Sequence, residues 1–198
     1  MELFFDFREQ WLNAGLDGFR ARLKDAGYTL PAAVKVSCGF APGSRGTKKV
    51  LGVCISPKAS AAGHTEIFIS PIISDPLQAL GTLLHEAGHA CVGVEAGHGQ
   101  PFKAFCAKLG LVGKATEAGP GEACTQWLRD EVLPLLGEYP HAAVDPSQRK
   151  KQGTRMIKLV CPETGYTVRT TKKWLAHGVP TSPAGCEMVV QAEDSADE

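Results

Sequence analysis

The sequence predicts an α+β fold, and three observations carry that expectation. An amphipathic segment near the start repeats apolar residues at three- and four-residue steps. Three short β-like runs follow, separated by loops rich in Gly, Pro, Ser and Lys. Helical patterns then fill most of residues 75–137, and a polar stretch leads into a small β-rich module. With 198 residues, 43% of them hydrophobic, the chain is long enough for one medium domain and a small appendage.

Phe7, Trp11, Leu12, Leu16, Phe19 and Leu23 give the first segment its helical period. Gly15 and Gly18 weaken that helix, and Gly27 offers a C-cap. Its simplest role is packing. The runs "AVKVSCGF", "KVLGVCIS" and "TEIFISP" predict a small antiparallel sheet. In "DPLQALGTLLHEAGHACVGV", Asp75 can cap a helix whose first position suits Pro76. Leu80, Leu83, Leu84 and Ala87 form its apolar stripe. "PFKAFCAKLGL" predicts a second helix, and "EACTQWLRDEVLPLLG" a third ending near Pro134 or Gly137. "EYPHAAVDPSQRKKQG" reads as a polar linker. The expected division is therefore a main domain over 1–145, a module over 150–190 and an acidic tail over 191–198 too polar to order.

Charge is balanced in total, 21 basic against 21 acidic residues, yet unevenly placed. From Ser147 to His177 there are eight Lys/Arg (Arg149, Lys150, Lys151, Arg155, Lys158, Arg169, Lys172 and Lys173) against one acid, Glu163. The closing "EMVVQAEDSADE" holds five acids and no base. Such asymmetry suggests a segment that meets an anionic partner. The opening apolar run is too short for a signal peptide, and no stretch approaches the roughly 18 apolar residues of a membrane helix. Seven scattered cysteines, an odd number, point to free or metal-bound thiols in a reducing cytoplasm.

Three of the six histidines fall within the fourteen residues from His85 to His98. His85, Glu86 and His89 make an H-E-x-x-H pattern. On a helix, positions four apart differ by about 40° and about 6 Å, so both imidazoles can reach one tetrahedral zinc ion. Glu86 then stands close enough to act on the zinc-bound water without ligating. Were the helix to continue, His98 would lie about 180° around and about 13 Å beyond His89. It can share the ion only if the chain turns back, and Gly93, Gly97 and Gly99 lie where that turn is needed. Glu95 is a competing ligand placed before the turn is complete. His64 reads as a loop residue and His177 as a helix-end residue. Tyr139 or His141, in "EYPHA", could stabilise an oxyanion if either reaches the site; a structural role is the alternative.

"HEAGH", "GHGQPF", the upstream "TEIFISP" and the basic "CPETGYTVRTTKKWL" together resemble the SprT-like metallopeptidases, the group that includes Spartan, over residues 30 to 190. The likeness is greatest to short bacterial and phage forms. It implies a small zincin-like metalloprotease domain, its active helix packed on a short antiparallel sheet, followed by a zinc-ribbon-like module. It further implies that His85, His89 and His98 bind zinc, that Glu86 is the catalytic base, and that substrates are proteins attached to or near DNA. The ribbon departs from the family pattern. Cys161 is present, but Thr164 takes its partner's place, and Ser182 and Ala184 stand where the second pair is expected, with Cys186 two residues late. Structural zinc needs four good ligands and can supply roughly 10–16 kcal/mol to folding. Cys161 and Cys186 are only two, so one catalytic zinc and no second, structural zinc are expected.

The functional expectation is a zinc endopeptidase in which Glu86 takes the proton of the attacking water and passes it to the leaving amine. The strand Glu66 to Ser70 could pair with an extended substrate. The second class is a nucleic-acid-binding protein whose metal site is structural or weakly active. The basic residues named above, with Tyr166 and Trp174 among them, would contact phosphates and stack on bases of single-stranded or crosslinked DNA. That would place the protein with DNA in the cytoplasm, without a membrane partner. Oligomeric state is left open.

Overall fold

The computed structural model describes residues 5–42, 50–148 and 156–191. The chain divides into two units, Met1–Ser147 and Gln148–Glu198. Arg149, Lys150, Lys151, Arg155 and residues 192–198, which hold four of the expected DNA contacts and the acidic tail, lie outside the described residues.

In the first unit the amphipathic opening segment forms two helices, α1 (Arg8–Gly18) and α2 (Arg20–Asp25), where the periodicity predicted one. The break falls at Phe19, directly after Gly18, but Trp11, Leu12, Leu16, Phe19 and Leu23 all remain buried. Past α2, the Gly27 amide donates to Lys24 and the Tyr28 amide to Leu23, the paired bonds of a Schellman ending. The sheet comprises β1 (Val34–Cys38), β2 (Gly52–Ile55) and β3 (Thr65–Ile69) in the order β1-β3-β2. It is mixed, and the antiparallel expectation is corrected. β2 pairs antiparallel to β3, whereas β1 runs parallel to it, with Val34 opposite Thr65 and Cys38 opposite Ile69. Alternation of apolar residues marks a strand but not its direction. Parallel pairing needs a long crossover, and residues 39–64, with β2 inside them, supply it. β3, proposed from sequence to add a substrate strand, is central and spends both edges on its neighbours. Among the described residues β1 and β2 are the edge strands, and α1 side chains already bond part of the β1 edge: Asn13 donates to the Val36 carbonyl and the Cys38 amide donates to Glu9.

Asp75 caps α3 (Pro76–Val92) as expected, its carboxylate accepting from the Gln78 amide at 2.7 Å, with Pro76 in the first turn. Leu80, Leu83, Leu84 and Ala87 are wholly buried. α4 (Gln100–Leu109) packs on α3, and a two-stranded hairpin follows, β4 (Leu111–Val112) with β5 (Gly119–Pro120). The third predicted helix is α5 (Glu122–Trp127), which widens into a π-helical turn over Leu128–Val132 and tightens to a 3-10 turn at Leu133–Leu135. Pro134 has no N–H to extend an α-helix.

The segment read as a linker begins inside this unit. Arg8 is buried and donates to four main-chain carbonyls: Pro140 at 2.8 Å, Pro71 at 2.8 Å, His141 at 3.0 Å and Ala142 at 2.9 Å. The Val144 amide also donates to Pro71. A guanidinium offers five N–H groups in a rigid fork, so one side chain can satisfy several carbonyls that would otherwise be buried unpaired.

In the second unit, β6 (Ile157–Val160) pairs with both β7 (Thr167–Thr170) and β8 (Val189–Val190), and α6 (Lys172–Leu175) follows β7. Among the described residues Leu159, Cys161 and Met188 are its buried apolar side chains. Among the described residues no helix is long and apolar enough to cross a membrane.

Replacing Arg8 with Met should lower unfolding stability by about 2–4 kcal/mol, since the carbonyls lose their donors. Urea titration measures this. Amide exchange at Val144 should quicken in parallel, and unchanged protection there would show that the segment is held by something else.

Candidate metal centre

His85 and His89 project from adjacent turns of α3 and are both buried. α3 ends at Gly93, whose φ of 88° is left-handed. One 3-10 turn, Val94–Ala96, leads to Gly97 at φ 49°, and the chain doubles back so that His98 faces the helix it has just left. Gly99, the third glycine of the expected turn, has φ −71° and needs no such freedom; it starts α4.

Nε2 of His89 lies 3.2 Å from Nε2 of His98. One ring nitrogen from each of the three histidines falls within 4.8 Å of the others, and His98 is the least buried. Two nitrogens on a tetrahedral zinc ion at 2.0–2.1 Å stand about 3.3–3.4 Å apart, so the spacing fits. The Nδ1–H of His85 donates to the Ala118 carbonyl at 2.9 Å, which fixes the tautomer and leaves Nε2 as the free donor atom. Burial holds His85 below its ordinary value, with the Ala118 carbonyl opposing. Burial, then the two neighbouring imidazoles, pushes His89 down to about 4. At neutral pH both rings are therefore uncharged, the form that ligates. Among the described residues this is the group of three or more side chains that could hold a metal ion.

The rings are seated on Phe102. Its side chain stacks on His89 at 4.0 Å and 12°, meets His98 edge-on at 5.2 Å, and lies 4.9 Å from His85. Gly88, inside the H-E-x-x-H segment, makes that possible. A Cβ there would fall 2.6 Å from Phe105 and 3.0 Å from Phe102. Neither residue was singled out from the sequence. The signal was a glycine inside a strong helix, which usually marks a close approach.

Glu86 is buried beside His85, and burial pushes its carboxyl up to about 8, with a Cys54 main-chain hydrogen bond opposing. Positive charge held by the histidines would draw it back down. Room for this carboxylate comes from β2: a Cβ on Gly52 would stand 2.7 Å from Glu86 Oε1. His85 and Glu86 open onto a groove of about 430 Å³. Gln78, Gly81 and Thr82 continue its floor along α3, Val50 to Gly52 form one wall, and Thr116 to Pro120 the other.

Other expected site residues stand elsewhere. Tyr139 lies with its ring 4.7 Å from Trp11 and under the Arg8 guanidinium at 4.8 Å, and burial pushes its phenol well up. His141 gives its carbonyl to Arg8 and sets its ring 6.4 Å from Phe7. Neither lines the groove; the Arg8 contacts hold this segment on α1. Glu95, the competing ligand, pairs with Lys58 at 3.0 Å. In the second unit, Cys161 is buried and accepts hydrogen bonds from the Ser182 and Thr164 side chains, which bring its thiol down to about 6. Cys186 lies beside it, and burial pushes that thiol up. Cys161, Thr164, Ser182 and Cys186 thus cluster, while Ala184 faces a surface hollow with Thr164 and Tyr166. Lys158 and Arg169 are direct partners across β6 and β7, and Lys172, Lys173 and Trp174 form α6.

No family model matches the chain, and no curated protein or solved structure is similar to it.

The purified chain should bind one divalent transition-metal ion per molecule, and His98→Ala should weaken that binding by about 100-fold or more. Elemental analysis and chelator competition test both statements. Two ions per chain would mean that Cys161 and Cys186 recruit further ligands; undiminished affinity in His98→Ala would remove His98 from the site.

Proposed function

We propose that the protein is a zinc-dependent endopeptidase of the SprT-like, zincin type, acting on proteins associated with or crosslinked to DNA. One observation carries the reading: a buried carboxylate, Glu86, opens onto a peptide-sized groove next to three convergent imidazoles. A structural metal site needs ligands only. It has no use for a desolvated carboxylate facing solvent-accessible space, kept clear by a glycine on the opposite strand.

His85, His89 and His98 would hold the ion, and when bound it supplies Lewis acidity to a water molecule and to the scissile carbonyl. Glu86 takes a proton from the attacking water and delivers it to the departing amine nitrogen. The free edge of β2 offers main-chain donors and acceptors to an extended substrate along the groove wall. Gly52 lets that strand pass close to Glu86.

Glu86→Gln should keep full metal content and lower kcat by about 100- to 10,000-fold. Gly52→Ala should also keep the metal but lose about 100-fold by displacing the carboxylate. Cleavage of an unfolded protein, followed by gel and mass spectrometry beside elemental analysis, gives both readouts. Retained cleavage in Glu86→Gln would sink the mechanism.

The second reading, nucleic-acid binding by the C-terminal unit, has its own support. Lys158 and Arg169 sit directly opposite each other, an arrangement that repels unless an anion is shared. Trp174 is 61% exposed with Lys173 Nζ 5.3 Å from its ring, and Tyr166 is 48% exposed. Both rings are available for stacking on bases. Binding of a fluorescent single-stranded oligonucleotide should weaken steeply with salt. Reversing both charges in a Lys158→Glu, Arg169→Glu double variant should reduce the log–log salt slope by about 1.4. A salt-independent signal would reject this reading.

A further inference from the structure

The groove beside the histidines is uneven in charge. Among the described residues its lining side chains include two carboxylates, Glu86 and Glu117, and no lysine or arginine. His85, the other ionisable group in the lining, gives its Nδ1–H to the Ala118 carbonyl. Glu86 is buried and committed to the reaction, whereas Glu117 is exposed on the rim. Among the described residues Glu117 forms no ion pair, even with Lys114 on the same loop, whose carbonyl accepts the Glu117 amide at 2.8 Å.

The loop that carries Glu117 is clamped to the site. The next residue, Ala118, gives its carbonyl to His85. Gly119 and Pro120 then pair with β4, and Pro120 packs so tightly on α3 that a Cβ at Gly81 would lie 2.5 Å from it. The main chain at Glu117 is therefore held beside the groove, and its exposed carboxylate extends from that anchored point. From Glu86 back to Gln78 the groove floor spans eight residues of helix, about 12 Å, which an extended peptide covers in about three to four residues.

Resting on the peptidase reading above, we propose that Glu117 selects substrates by receiving a lysine or arginine side chain at one fixed position within about three residues of the cleaved bond. The substrate class is thus a cationic, extended polypeptide segment. Alternate residues of an extended chain point to opposite sides, so a single position faces the Glu117 wall at that depth. Attraction between Glu117 and the substrate cation weakens with ionic strength, whereas main-chain pairing along β2 does not.

The test is digestion of an unfolded protein of mixed composition by the zinc-loaded full-length chain, with the new termini read by mass spectrometry. Peptides built on the sites found, differing only at the selected position, then give kcat/KM. Wild type should prefer Lys over Glu there by about tenfold, with the ratio shrinking as salt rises. Glu117→Gln should flatten the preference, and Glu117→Lys should invert it in favour of Glu. Loss of a purely structural residue would slow all the peptides alike and invert nothing. Efficient cleavage with the same site profile in wild type and Glu117→Lys overturns this inference and leaves the peptidase reading standing. No cleavage by zinc-loaded wild type overturns both.

Discussion

Everything at the candidate centre depends on how closely α4 approaches α3 at Gly88. One hydrogen in place of a methyl group lets Phe102 and Phe105 press onto the helix that carries two of the histidines. Phe102 then lies under all three imidazoles. The same approach fixes where the turn from Gly93 to Gly99 must end, because α4 begins at once at Gln100. A ligand set drawn from two separate elements is thereby held by an apolar contact and not by the ligands themselves. Such support keeps rotamers in place before any ion arrives, so binding need not order the side chains.

The opposite wall solves a different problem. A buried carboxylate is costly unless something favours its charge, and burial, partly offset by the Cys54 hydrogen bond, raises Glu86 to about 8. β2 brings a main-chain hydrogen bond from Cys54 and, at Gly52, clearance for the side chain. One edge strand thus supplies space, a hydrogen bond and an unpaired rim at the same place. The strand order is what puts β2 at the edge among the described residues, since β3 is enclosed between β1 and β2.

Much of this architecture could be read from the residues. Asp75 and Pro76 announced the start of α3, and the glycines after His89 announced a reversal that returns His98. These are local features, and local chemistry determines them. What escaped was relational. The period-2 pattern of "AVKVSCGF" could not reveal that β1 runs parallel to β3, and "EYPHAAVD" looked like a linker because its anchor, Arg8, lies more than 130 residues away in sequence. Tyr139 and His141 were considered for the site on their chemistry alone, and the same anchor places them on α1. Phe102 and Gly52 looked unremarkable because their importance lies in what they touch. For the C-terminal unit, counting cysteines identified the departure from four ligands, but not that Ser182 and Thr164 turn their side chains onto Cys161.

The Arg8 carbonyl cage has a bearing on how the chain can vary. A guanidinium that grips main-chain oxygens reads backbone position and is indifferent to the side chains attached. These bonds therefore place no demand on the side chains at 140 and 142, whereas position 141, at φ 65°, favours residues that accept a left-handed backbone and position 8 must remain arginine to make them. Side-chain identity and structural importance are separated here: a stretch held by its main-chain oxygens is closed onto the domain by the side chain of one residue.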